Sequence, residues 1–178
     1  MWIACSRVPR RRSWADNTSA GDTMARQGSE VIATFCCAVF FGAAAYISLV
    51  QHPAALETGS EFAVRFFAPM YRRASVMQAS LAIAGTAASI VAYLLGAGRT
   101  WILVAILIIS VVPFTLIVIE PLNEQIRAID PSAEPVIELL MRWGRLHWVR
   151  TIASGAAFVM CFAGMSSHIR TGGTRHAR

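Results

Sequence analysis

A twenty-residue stretch of this chain contains no charge, and that sets what the chain can fold into. From Val31 to Val50 the residues are almost all apolar, bounded by Glu30 on one side and Gln51-His52-Pro53 on the other. Coiled as an α-helix at ~1.5 Å per residue, such a run is ~30 Å long, the thickness of a bilayer's hydrocarbon core. Two more runs follow. Ser75 to Leu95 ends at Gly96-Ala97-Gly98-Arg99-Thr100, and Trp101 to Ile119 is closed by Glu120-Pro121. The fourth run, Thr151 to Met165, is short, and Trp148 and Val149 extend it backward. That places Arg150 near the interface, where it either snorkels outward or faces the bundle interior. Trp101 falls where an interfacial aromatic belongs.

A water-soluble helix of this length needs a polar face, and the first and third runs have none. The chain therefore reads as all-α, an integral membrane four-helix bundle with spans at about 31–50, 75–95, 101–119 and 148–166. Residues 1–29 read as a polar, Arg-rich and poorly ordered tail, and 169–178 as a polar C-terminal tail. A continuous helix from about Glu134 to Met165 would be ~48 Å long, more than a bilayer needs. Residues 1–29 lack the layout of a signal peptide, and Met24 offers an alternative start.

Four spans put both termini on one side. The second and third spans are joined too briefly for anything but an antiparallel hairpin. The 1–2 and 3–4 connections, which hold most of the unusual polar and aromatic residues, then meet at the other end. Hydrophobic residues make up 56% of the chain and charged residues 15%, and the net charge is +6. All 16 basic residues are Arg. They lie in the tails and between apolar runs, which suits a bilayer surface and excludes a nucleic-acid stripe. Nine Arg fall on the side of the termini and seven opposite, an excess that favours cytoplasmic termini. A start at Met24 reverses it.

Among Cys5, Cys36, Cys37 and Cys161 no CxxC occurs, so they read as small buried hydrophobes or, alternatively, a redox pair. No zinc, diiron, haem or nucleotide motif is present, and neither a metal nor another cofactor is expected. The informative segment precedes the fourth span. Trp143, Leu146, His147 and Arg150 share one helical face, while Glu138, Arg142 and Arg145 lie elsewhere, with Glu138 and Arg142 spaced to pair. This stripe is either an interfacial anchor or the wall of a site, with His147 as base and Arg150 stabilising an anion. Pro113 interrupts the third span and Thr115 can mend the break locally. Glu120, Pro121 and Asn123 form its exit, as a helix stop or facing a ligand. Gly42 and Tyr46 share a face with Leu49 and Pro53, and Gly42 to Ala45 invite close packing. Gln78, Ala82, Gly85 and Ser89 form a small, semi-polar face, and Gln78 most needs a partner. Tyr71-Arg72-Arg73 reads as an interfacial anchor.

Four pieces in order carry a resemblance. They are Gly-Ala-Ala-Ala-Tyr followed by His-Pro; Ala-Pro-Met-Tyr-Arg-Arg before the Gln78 span; Val-Pro-Phe-Thr-Leu-Ile-Val-Ile-Glu-Pro-Leu-Asn; and Arg-Trp-Gly-Arg-Leu-His-Trp-Val-Arg. Over roughly 31–168 the chain resembles the anthrone-oxygenase-like family of small four-helix membrane proteins, long filed as a domain of unknown function. The resemblance implies oxidation of an anthrone to an anthraquinone by molecular oxygen, with no evident metal or flavin. Pro113, Thr115, Pro121, Asn123, Trp143, His147 and Arg150 match recurrent positions, and Phe114 stands where some relatives have Tyr. The chemistry it implies uses His147 as base, Arg150 and Asn123 as enolate stabilisers, and Trp143, Phe114, Tyr46 and Gln78 as the lining of a flat pocket. Two other readings stand beside it. One is a non-catalytic membrane scaffold or lipid- or small-molecule-binding protein. The other is a permease that acts as a homo-oligomer. Membrane lipid is a partner in every reading, and nucleic acid in none.

Overall fold

The computed structural model describes residues 14–173, with side-chain surroundings over 21–166. Cys5, the Arg7, Arg10, Arg11 and Arg12 cluster, and the tail Arg and His residues from position 168 onward lie outside those side-chain limits. Helix α1 (Trp14–Tyr46) passes through a π-helical turn (Ile47–Gln51) into α2 (His52–Thr58). After Gly59 comes α3 (Ser60–Leu94), then α4 (Thr100–Phe114), a second π turn (Thr115–Ile119), α5 (Glu120–Ala128) and α6 (Val136–Gly173). Helix α1 begins upstream of the first apolar run.

The result is four rods, over 21–58, 60–94, 100–128 and 136–166, each long and apolar enough to cross a membrane. The first, 38 residues, is ~57 Å at helical rise and overshoots the hydrocarbon core. The overshoot is where the polar ends of the rods sit. Neighbours pack in chain order, α1 on α3, α3 on α4, α4 on α6, and α6 closes on α1. This up-down-up-down ring brings the 1–2 and 3–4 connections to one end.

The turns follow from local chemistry. Gly59 (φ 113°) separates α2 from α3, and Gly96 (φ 83°) and Gly98 (φ 97°) make the tight α3–α4 hairpin, in a region that residues with a Cβ rarely enter. Between α5 and α6, the Ser132 amide and hydroxyl donate to the Asp130 carboxylate at 2.9 and 2.7 Å. Those two bonds hold the Asp130 carboxyl below its ordinary range. Both π turns end two residues before a proline, Pro53 or Pro121. A proline ring clashes with the carbonyl four residues back. Those carbonyls, on Leu49 and Ile117, lie inside the widened turns, which gives the ring room.

The bundle is inverted relative to a soluble one. Its centre holds small residues (Ala33, Ala44, Ala82, Ala92, Ala157) around Phe40 and Trp101, with polar Gln78, Ser89, Ser154 and Arg150 also buried. Its outside carries Ile32, Phe35, Ile83, Leu103, Ile106, Val159 and Phe162. Hydrocarbon accepts that surface and water does not, so the chain is a multi-pass membrane protein. Close approach occurs at Gly85, where a Cβ would stand 3.1 Å from Cys36 Cβ, and at Gly155, 2.9 Å from the Phe41 ring. Gly42, the expected packing position, has nothing within 4 Å of a Cβ and lies on the outer face. Trp101 is likewise not an interfacial anchor: it is fully buried, packed over Gly164. Cys36, Cys37 and Cys161 are free and buried.

Candidate functional site

The site lies at the end where the two longer connections meet, and α6 supplies its spine. Helical spacing turns Trp143, His147 and Arg150 inward, half-buries Leu146 and leaves Glu138, Arg142 and Arg145 exposed. Glu138 and Arg142 form no ion pair, although their spacing allows one. Gly144 lies on the same turn as Trp143. A Cβ there would stand 2.6 Å from His52 Nε2, so the missing side chain is what admits the His52 ring from the first connection.

Trp143 is the hub. His147 stacks on it at 4.9 Å, His52 tilts against it at 5.2 Å, and Phe67 meets it edge-on at 5.2 Å. Its indole N–H donates to Asn123 Oδ1 at 2.8 Å. Asn123 Nδ2 donates to Glu120 Oε2 at 2.7 Å, and Arg127 Nη2 donates to Glu120 Oε1 at 2.7 Å. One hydrogen-bonded chain therefore runs from the buried indole to the surface guanidinium and ties α5 to α6. His147 has a second set of partners. Its Nδ1 is 2.9 Å from Ser48 Oγ in the first π turn, and Ser48 Oγ is 2.9 Å from Thr151 Oγ1.

Arg150 is only 5% exposed. Its Nη2 donates to Gln78 Oε1, and its guanidinium lies 5.8 Å from the centre of the Phe40 ring. Among the described residues no carboxylate is within ion-pair range of it. Arg150 Nε and Gln78 Nε2 are both buried without a hydrogen-bond partner. The two side chains line a cavity of about 110 Å³ together with Phe40, Tyr71, Val111 and Thr115. Ala79 and Leu116, both exposed, also line it. The cavity thus opens sideways between α3 and α4, toward lipid. Among the described residues, no three His, Cys, Asp or Glu side chains gather as a metal site.

The expected residues separate into three groups. Arg150 and Gln78 line the cavity. His147, Asn123 and Trp143 are buried behind its wall rather than in it, and Phe114 is half-buried in the apolar cluster at the same end. Tyr46 does not join them. It is 57% exposed and borders an outer groove with Arg73 and Met70, because the inward face of that turn belongs to Ala44, Ile47 and Ser48. Tyr71, which by sequence reads as an interfacial anchor, is instead part of the cavity wall. The signal for it is present: Tyr71, Ser75, Gln78, Ala82, Gly85 and Ser89 form one continuous helical stripe. Sequence reasoning also misses Ser48, Thr151 and His52. Thr151 sits one turn beyond His147, within reach of the same spacing argument.

Comparison with known proteins covers most of this architecture. The sequence profile of the family described as anthrone oxygenase matches residues 67–160, just over half of the chain and every cavity residue except Phe40. Anthrone oxygenase tpcL of Aspergillus fumigatus is 32% identical over 143 residues, covering 71% of this chain and 89% of that protein. No solved structure matches the chain.

Proposed function

The chain belongs to the anthrone oxygenase family, and from that membership we propose that it is a membrane-embedded oxygenase, acting without a cofactor on an anthrone-like polycyclic phenol. An anthrone holds a CH2 group opposite a ketone between two aromatic rings. Loss of one proton makes the central ring aromatic and leaves the charge on oxygen. That electron-rich enolate supplies the electrons that reduce oxygen. The protein's tasks are then to remove the proton, hold the oxyanion and exclude water.

The observation that supports this reading most is Arg150. A buried guanidinium with no carboxylate partner is costly in a low-dielectric interior, and its cost falls when an anion arrives. Here it lines a cavity beside Gln78, whose Nε2 has no hydrogen-bond partner, so an enolate oxygen at that wall would lie beside two donor groups. Phe40, Val111 and Val112 offer apolar surface to flat rings. The sideways opening suits a substrate that partitions into lipid. Asn123 and Trp143 serve in this reading as the clamp that holds α5 and α6 around the cavity.

The orientation belongs to the same proposal: both termini lie in the cytoplasm, on the side with more Arg. Reporter fusions at each terminus and at Gly59 test it, since active cytoplasmic reporters at Gly59 alone would reverse it.

The activity is tested with purified protein in lipid nanodiscs, given a panel of anthrones under air. The expected result is quinone formation above the protein-free rate, with one oxygen consumed per quinone formed. No excess over the blank with any anthrone overturns the reading.

A further inference from the structure

The Arg150 cavity contains an anion stabiliser but, in the expected arrangement, no base, because His147 stands behind the wall. We propose that Tyr71 is the general base of this site and that Glu120 relays the proton from it to the protein surface. This rests on the oxygenase reading and adds a residue and a route to it.

The argument begins with what lines the cavity. Ser75 spends its hydroxyl proton on the Arg72 carbonyl at 3.1 Å, and Thr115 spends its own on the Val111 carbonyl at 2.7 Å. Gln78 carries a neutral amide and Arg150 a permanent cation. The remaining lining residues are hydrocarbon. Tyr71 is left as the one side chain in that wall that can both give up a proton and take one.

Its second surface points the other way. Tyr71 also borders an open groove of about 620 Å³ with Arg72, Ser75, Glu120 and Arg127. Tyr71 therefore borders both the apolar, lipid-facing cavity and a groove that holds Arg72, Glu120 and Arg127. Tyr71 shares the cavity with Arg150 and the groove with Glu120. Glu120 is itself fixed by Arg127 and Asn123 at 2.7 Å each. The hydrogen-bonded chain from Trp143 thus has a purpose beyond packing: it fixes a carboxylate in the groove that Tyr71 borders.

The proton path balances. The substrate C–H proton passes to the Tyr71 oxygen as the phenolic proton passes to Glu120, which exchanges with water in the groove. The C–H electron pair becomes the enolate, its oxygen held by Arg150. The enolate carbon reduces oxygen and bonds to it, giving a hydroperoxide after protonation. Loss of water from that hydroperoxide leaves the new ketone. Oxygen is the oxidant and the substrate is the reductant.

The test uses the full chain in nanodiscs. Tyr71→Phe should lower kcat by roughly 10²- to 10⁴-fold while still binding an anthraquinone. Its deficit should shrink as rising pH forms enolate in solution. Incorporation of 3-fluorotyrosine at position 71, which preserves the fold and acidifies the phenol, should move the pH–rate profile to lower pH. Glu120→Gln should distort that profile, in which Tyr71, Glu120, Arg150, Arg72 and Arg127 are the groups facing the path. Wild-type turnover with Tyr71→Phe within twofold of it, or with an unmoved profile after fluorination, overturns Tyr71 as base and leaves the oxygenase reading standing. A wild type that oxidises no anthrone above the blank overturns both.

Discussion

Arg150 shows how a single residue can cost stability and serve function at once. It is buried against Gln78 and Phe40, and among the described residues no carboxylate pairs with it. Replacing a poorly compensated buried charge with an isosteric apolar side chain is often neutral or stabilising. Arg150→Met should therefore melt no lower than the wild type. Removal of a preorganised anion stabiliser costs about 10²–10³ in kcat, and turnover of an anthrone should fall by that much. A parallel fall in melting temperature would instead make Arg150 a structural residue. Gly144 is the opposite case, a position where space rather than charge is at stake. A Cβ there meets His52 Nε2 at 2.6 Å, and overpacking of that kind costs about 1–3 kcal/mol. Gly144→Ala should lower the melting temperature, and the double variant with His52→Ala should recover most of the loss. Single residues are legible in the sequence where helical spacing applies, as for Trp143, His147, Arg150 and Gln78. Tyr71 misleads because a Tyr followed by two Arg has the composition of an interfacial anchor, and only its spacing to Gln78 says otherwise. Ser48 leaves no signal, since one serine in an apolar run is indistinguishable from another until α6 lies beside it.

The elements explain why the site lies at one end. The long rods are regular where alanines and glycines let them approach, and they widen into π turns before Pro53 and Pro121. The first turn delivers Ser48 to His147, and the second precedes Asn123 and its bond to Trp143. Single π turns inside α-helices recur at functional sites for this reason: one widened turn re-aims the side chains that follow. The proline breaks are visible in the sequence, but their consequence is not. A proline can kink, stop or widen a helix, and tertiary packing selects among these outcomes. If the ring of Pro121 causes the second turn, Pro121→Ala restores a donor to the Ile117 carbonyl and tightens the turn to an α-helix. Asn123 then rotates away from Trp143, leaving a buried indole N–H unpaired at a cost of about 1–3 kcal/mol. The melting temperature should fall accordingly, and hydrogen exchange at 115–121 should slow. A variant with wild-type melting and exchange would show that packing, rather than the proline, sets the turn.

The whole molecule is arranged around an exchange of inside and outside. Its exterior suits hydrocarbon, its interior holds the polar groups, and its cavity opens between α3 and α4 rather than toward water. The apolar runs make the four rods legible from hydropathy alone, because a bilayer admits few alternatives to helices of that length. Their true lengths are not legible, because amphipathic extensions beyond the bilayer follow packing between rods and not hydropathy. The lateral opening is also invisible in the sequence, since it depends on which exposed residues of two separate rods, Ala79 and Leu116, come to line one cavity. That opening makes a kinetic claim. A substrate dissolved in the bilayer reaches Arg150 through the gap, so narrowing the gap should impede access without touching the chemistry. Ala79→Trp places a large ring at the mouth, on an exposed position. Its kcat/KM should drop about tenfold or more while kcat at saturating substrate changes little, the pattern of lost access rather than lost transition-state stabilisation. Linking the anthrone to a bulky water-soluble carrier should depress the wild-type rate in the same way. If Ala79→Trp leaves kcat/KM unchanged and a carrier-linked anthrone reacts at the normal rate, the substrate enters from the aqueous groove beside Glu120, and the lipid-facing mouth is a feature of packing alone.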